Sequence, residues 1–267
     1  MNAKPILFFI HGYSVGSWYF DDFRRYFETL GYQTYAPNLP YHDVHPNKKL
    51  DKVGKLGMKD YLDHLELELL AIGEKCVLIG HSLGGLLAQH LVSRGGADDM
   101  ILLQPAAPKD ISMITPRYVH HHAGPLAAAI ARKPFKYSYK SARALYFNGM
   151  DEQAAVDLFH KTVYESGQLM YEIITHQQPD IYAENLNGNV LCIAGSKDRG
   201  CTPKIVQQIA KKYGDKATYK EFVNRGHEIV VEDNWEEVAD YVDNWLKQNN
   251  TGSLSEKTID IDLAIPA

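Results

Sequence analysis

Cys76-Val77-Leu78-Ile79-Gly80-His81-Ser82-Leu83-Gly84-Gly85 is the stretch that decides the fold. Residues 76–79 form a short, unbroken apolar run, as in a strand covered on both faces. The turn Gly80-x-Ser82-x-Gly84 follows at once, and an apolar run at helical spacing begins at Leu83. Strand, sharp turn and helix in that order lift a serine above the end of the strand, with its hydroxyl exposed. Side chains at 80 and 84 would collide across so tight a turn, which accounts for glycine at both. The new helix aims its unpaired N–H groups and positive dipole end at the same place. Phosphate binding does not suit this turn, which has neither the Gly-Lys-Ser/Thr ending of a P-loop nor a G-x-G-x-x-G pattern.

Outward from the turn the same alternation repeats. Apolar runs over 6–10, 33–36, 100–103, 190–194 and 218–223 predict further strands. Helical spacing over 19–30, 61–72, 83–93, 204–213 and 235–247 predicts helices between them, with Gly31, Gly73 and Gly95-Gly96 as stops. Alternation of this kind builds a doubly wound, mostly parallel α/β sheet. One segment breaks it: more than 80 residues without a clear strand separate Leu103 from Val190. Helices are expected there over 126–132, 141–146, 152–164 and 169–176. So long an insertion after a central strand reads as a helical cap, because long structureless loops are uncommon in compact domains. The expected organisation is a core of 1–107 and 188–248, a helical cap of 108–187 and a tail of 249–267. The alternation Ile259-Asp260-Ile261-Asp262-Leu263-Ala264-Ile265 fits an added edge strand, and a frayed tail fits equally. A homodimer joined through that strand is the oligomer the tail suggests.

Composition narrows the class. The chain has 267 residues, 45% hydrophobic and 23% charged, with a net charge of 28 − 33 = −5. That is long enough to bury a core without disulfides or metal, and it excludes disordered, collagen-like and disulfide-scaffold classes. A slightly acidic chain is a poor partner for nucleic acid. Three cysteines, Cys76, Cys192 and Cys201, fit a reducing compartment. No apolar run approaches the roughly 18 residues that span a bilayer, and the run 6–10 is too short for a signal-peptide core. A soluble, cytoplasmic protein without stable membrane insertion is therefore expected.

A second loop complements the serine turn: His11-Gly12-Tyr13-Ser14-Val15-Gly16-Ser17-Trp18, straight after the first strand. Acyl transfer needs two backbone N–H groups aimed at a developing oxyanion. One is expected from Leu83, after the serine, and the other from Tyr13. Serine is a poor nucleophile without a base whose pKa lies near working pH. Of twelve histidines, His227 is preferred, because it follows Gly226 after the last strand, at the carboxyl edge where reactive groups gather. The base needs a carboxylate to fix its tautomer. Asp198, after the strand 190–194, is preferred over Asp110 and Asp180. His81 is expected to point away from the site and His11 to support the oxyanion loop.

Together, His11-Gly12, Gly80-x-Ser82-x-Gly84, Gly195-Ser196-Lys197-Asp198 and Gly226-His227 resemble the α/β-hydrolase superfamily. The resemblance covers about 4–107 and 188–247. It implies an α/β-hydrolase fold and the order nucleophile, acid, histidine, here Ser82, Asp198 and His227. The expected activity is cleavage of carboxylic esters of small to medium hydrophobic acids, with no metal or cofactor. The same triad also serves carbon–carbon or thioester hydrolysis, cyanohydrin cleavage and peracid formation, and a non-catalytic binding module on this scaffold is the alternative from another class. Tyr118, Leu126, Ile130, Tyr146, Phe147, Leu158, Phe159, Leu169, Met170 and Ile174 are the candidates to line an acyl pocket or to form the cap's own core. His120-His121-His122 reads as a solvated cap loop rather than a metal site, and Tyr41-His42-Asp43-Val44-His45 as a plain loop. Glu66 and Glu68 read as the wet face of their helix, and Cys201 receives no role.

Overall fold

Six strands, β1 (Ile6–Ile10), β2 (Thr34–Tyr35), β3 (Cys76–His81), β4 (Met100–Leu103), β5 (Val190–Gly195) and β6 (Ala217–Phe222), make one sheet in a computed structural model of the protein, which describes residues 4–249. Their order is β2-β1-β3-β4-β5-β6 and every pairing is parallel. The sheet is thus a doubly wound α/β sheet, as the apolar runs predict. Each run is continuous because alternate residues serve two different cores. Ile6, Phe8 and Ile10 of β1 face one cluster with Leu62, Leu65, Leu86 and Ile209. Leu7 and Phe9 face the other, with Phe20, Phe23, Phe27, Val238 and Val242.

Helices α1 (Asp21–Thr29), α2 (Met58–Ile72), α3 (Leu83–Ser93), α9 (Pro203–Tyr213) and α10 (Glu236–Asn249) cover the sheet. The first and last lie on the face of the phenylalanine cluster, the other three on the opposite face. The first turn of the helix expected over 19–30 is a 3₁₀ turn, Ser17–Phe20. The chain goes from β1 outward to β2 and returns to β3 on the other side of β1, so the switch point lies between β1 and β3. Crevices at such points collect ligands beyond the strand carboxyl ends. Tyr13 follows β1 there, and Ser82 follows β3.

Between β4 and β5 the chain is helical: α4 (Pro116–His121), α5 (Ala123–Ala131), α6 (Tyr139–Leu145), α7 (Glu152–Lys161) and α8 (Gly167–Ile174). Two expectations need correction here. The stretch 116–121 is a helix rather than a loop. The helix expected over 152–164 stops at Lys161, and residues 163–165 run extended, with an isolated antiparallel bridge between Glu165 and Phe135. The edge strand expected at 259–265 lies outside the described residues. No described helix is long and apolar enough to cross a membrane.

Candidate active site

Ser82 sits between the end of β3 and the first turn of α3 with φ 53° and ψ −116°, a conformation that side chains other than glycine rarely adopt. Backbone bonds hold it there. Its N–H donates to the Leu103 carbonyl at 3.1 Å, and its own carbonyl accepts from Gly85 at 3.0 Å and Ala106 at 2.8 Å. The flanking glycines are required by contact. A Cβ at Gly80 would lie 2.3 Å from the Gly84 carbonyl oxygen, and one at Gly84 would lie 1.9 Å from that of Ile10. Leu83 is the first residue of α3, so its N–H has no partner within the helix.

His227 stands in the loop after β6. Its Nδ1–H donates to Oδ2 of Asp198 at 2.7 Å, and both side chains are almost wholly buried. The other carboxylate oxygen of Asp198, Oδ1, accepts from the N–H groups of Gly200 at 2.8 Å and Cys201 at 3.0 Å. With its proton on Nδ1, the imidazole keeps the Nε2 lone pair for accepting a proton. Burial alone would lower the His227 pKa. The Asp198 carboxylate, its hydrogen bond and the nearby Glu228 and Glu232 outweigh that, and the net shift is upward. The loop is fixed from two sides. Gln104 donates its side-chain N–H to the Gly226 carbonyl, and Glu232 accepts from the Gly226 N–H at 2.9 Å.

Of the three acids considered, Asp198 meets His227. Asp110 instead pairs with Lys212 at 2.8 Å and is 52% exposed; Asp180 pairs with Lys109 at 2.7 Å and is 56% exposed. His81 corrects an expectation, since it faces the site. Its Nε2–H donates to the His227 carbonyl at 2.9 Å, and the two rings lie 4.8 Å apart. Burial and the neighbouring His227 hold it neutral. His11 bonds the Gly12 carbonyl through Nδ1 at 2.9 Å, and its Nε2 accepts from the Leu39 N–H at 2.9 Å. Of the triple-histidine stretch, His120 and His121 end α4 and His122 forms the turn into α5, buried with its Nε2 2.9 Å from the Tyr146 hydroxyl. Among the described residues no three His, Cys, Asp or Glu side chains gather as a metal site.

Ser82, His227 and Tyr13 line one cavity. Its apolar wall includes Val15, Tyr137, Ala142, Tyr146, Phe147 and Phe159. Three of the ten expected pocket residues, Tyr146, Phe147 and Phe159, are therefore on the wall. Leu158, Leu169 and Met170 are buried in the two core clusters, while Ile130 is 74% exposed. Three features escape sequence reading. Glu228 lines the cavity, and burial raises its carboxyl to about 7; only its adjacency to His227 could have flagged it. Cys201 is buried, and burial followed by the Asp198 charge pushes its thiol pKa well up. Glu165 and His42 form a fully buried pair at 2.9 Å, which no spacing in the sequence announces.

Solved structures share this architecture. The Paleococcus ferrophilus monoacylglycerol lipase superposes with a TM-score of 0.71 and 20% identity, over 92% of this chain and 96% of that one. Polyneuridine aldehyde esterase gives 0.67 and 14%, over 91% and 99%. MenH from S. aureus gives 0.68 and 17%, over 94% and 96%. No curated protein matches the chain in sequence. Its residues 7–241 match the alpha/beta hydrolase family, and the chain belongs to that family.

Proposed function

We propose that the protein is a serine hydrolase that cleaves carboxylic esters of small to medium hydrophobic acids through an acyl-enzyme. Ser82 Oγ attacks the ester carbonyl carbon while His227 Nε2 takes its proton. The Tyr13 and Leu83 N–H groups hold the oxyanion of the tetrahedral intermediate. Its collapse expels the alcohol, which receives the proton from His227. Water, deprotonated by the same base, then releases the acid and restores the serine. Asp198 orients His227 and stabilises the imidazolium. The helices of 108–187 act as a cap whose aromatic side chains accept the acyl group. The three described cysteines are free and buried, in keeping with the cytoplasm.

One observation carries this reading: a serine held in a strained turn shares an apolar cavity with a histidine bonded to a buried aspartate. Similarity in fold to a lipase and an esterase supports it. The test combines fluorophosphonate labelling with a chain-length series of chromogenic esters. We expect label on Ser82, best turnover with short to medium acyl chains, and a loss on the order of 10⁴-fold or more in Ser82→Ala. Wild-type turnover in that variant would falsify the proposal.

A further inference from the structure

The oxyanion loop carries an unusual residue. Ser14, next to the proposed donor Tyr13, has φ 62°, in the left-handed region that a β-substituted residue occupies at a cost. Both of its backbone polar groups leave the loop for one short segment, 163–165. Its carbonyl accepts from the Val163 N–H at 2.8 Å, and its N–H donates to Glu165 Oε1. Glu165 Oε1 also accepts from His42 Nε2 at 2.9 Å, and neither side chain has any exposed surface. His42 Nδ1 lies 3.0 Å from the Pro40 carbonyl. Glu165 is itself fixed through its backbone, by a reciprocal pair of bonds with Phe135 at 3.0 and 2.8 Å.

Simple adhesion does not explain a carboxylate here. Burying an ion pair costs desolvation that its attraction only partly returns, and apolar residues of similar volume hold two segments together as well or better. The cluster is also not saturated. Glu165 Oε2, the Ser14 hydroxyl and the hydroxyls of Tyr13 and Tyr61 are buried without a hydrogen-bond partner. What the carboxylate does provide is a directed acceptor for one particular N–H. An acceptor at that point fixes the orientation of the Tyr13–Ser14 peptide, and with it the backbone of Tyr13. For His42, burial opposes protonation, but Glu165 outweighs burial and the net pKa shift is upward.

We infer that Glu165 is a positioning residue for the oxyanion hole: supplied by the segment between β4 and β5, it pins the Tyr13–Ser14 peptide and the left-handed conformation of Ser14, and so restrains the adjoining Gly12–Tyr13 peptide, whose N–H the hydrolase reading assigns to the developing oxyanion. This rests on the hydrolase reading above. It makes the inserted segment a working part of the catalytic geometry as well as a wall of the substrate cavity. Moving residues 163–165 away would release the Ser14 carbonyl and N–H together and disassemble half of the hole.

The test uses the full chain and four proteins: wild type, Glu165→Ala, Glu165→Gln, and Glu165→Ala combined with Ser14→Gly. Each is assayed for kcat and KM on one short-chain ester, for the fluorophosphonate labelling rate at Ser82, and for Tm. In Glu165→Ala we expect kcat and the labelling rate to fall together by about 10- to 100-fold, the scale of a small misplacement. KM should stay within about two-fold, since an oxyanion contact exists only in the transition state. Glu165→Gln, which keeps an acceptor oxygen, should retain more activity. The decisive readout is the double variant, because glycine adopts φ near 60° without the carboxylate's help. Recovery of kcat by several-fold over Glu165→Ala supports the inference, and a purely structural role predicts none. Unchanged kcat in Glu165→Ala, or a loss that Ser14→Gly does not relieve, overturns it. Should Glu165→Ala fail to fold, Glu165→Gln with and without Ser14→Gly decides by the same criterion. Absence of label on wild-type Ser82 would instead remove the hydrolase reading and this role with it; normal wild-type labelling with wild-type rates in the variants removes this role alone.

Discussion

Helices that cover the sheet and helices inserted between β4 and β5 begin in different ways. The N-caps of α1, α3 and α9 make no side-chain capping bond. In the insertion, Thr115, Ser138, Asp151 and Ser166 each accept a backbone N–H at the start of α4, α6, α7 and α8. Burial runs the other way. All eleven residues of α3 are buried, and none of α4 is. The sheet helices are held by the packing of an apolar face, which is the usual source of helix stability in proteins. Four of the five inserted helices add a side-chain bond at their first turn, α5 being the one that does not; on the sheet, α2 has such a bond too, from the Gly57 N–H to Asp60. The proposed nucleophile, acid and base stand on the packed region, where backbone position is enforced from many sides. The apolar wall of the cavity comes largely from the segment between β4 and β5.

The largest effect expected from this division falls at the carboxyl end of β5. Asp198→Asn should lower kcat by about 10⁴-fold, as loss of an orienting carboxylate does. Asp110→Asn, which loses only a half-exposed ion pair with Lys212, should leave kcat within about two-fold. The pH profile sharpens the assignment. His227 must be neutral to act as base, and its pKa is shifted above the ordinary 6.5. Activity is then full at high pH and lost as pH falls through a value above 6.5. Without the carboxylate, burial is left as the dominant influence, so the acid limb of the residual kcat/KM should move below pH 6.5. A limb that stays in place or moves upward would show that Asp198 does not set the charge of the base.

The same division explains what could be read from sequence. Strands β1, β3, β4 and β5 were legible because both faces are covered, which leaves an unbroken apolar run, whereas edge strand β6 is half-buried with Thr218 exposed and carries Lys220 and Glu221. Edge strand β2 has only Thr34 and Tyr35, both half-buried, and the pattern overran it on both sides. Helix α4 was not legible because burial is what writes periodicity into a sequence, and none of its residues is buried. The overrun of α7 has the opposite cause. Val163 is buried, so it continues the helical pattern, yet it lies beyond α7 with its N–H bonded to the Ser14 carbonyl in the loop after β1. Ser82, Asp198 and His227 each follow a strand, and motif, position and family resemblance together marked them as candidates. His42 and Glu165 are 123 residues apart and meet only in the folded chain; a pair of that kind leaves no local spacing to detect.

Gly84 offers the next largest effect and probes packing without touching a reacting group. Its missing Cβ lets α3 approach the Ile10 carbonyl, where an added methyl would sit 1.9 Å from the oxygen. Both partners are backbone, in the most tightly packed part of the molecule, so neither can yield by changing rotamer. Gly84→Ala should cost about 3 kcal/mol, the upper end for overpacking, measured by urea denaturation. A cost near zero would mean that the β1–α3 contact is softer than its burial indicates.

The smallest effect bears most directly on the contrast in helix starts. The Asp151 carboxylate accepts from the Ala154 N–H at 3.0 Å, and the residue is exposed, so its removal deletes a cap and little else. Asp151→Ala should cost about 1 kcal/mol. The loss should appear first as faster hydrogen exchange of the α7 amides, because a helix held by local bonds opens locally. Thr202, the N-cap of α9, makes no side-chain capping bond and is followed by Pro203, which is already suited to the first helical position. Thr202→Ala should therefore change stability by less than about 0.5 kcal/mol. Equal losses at the two sites would mean that packing, and not capping, holds α7 as it holds α9.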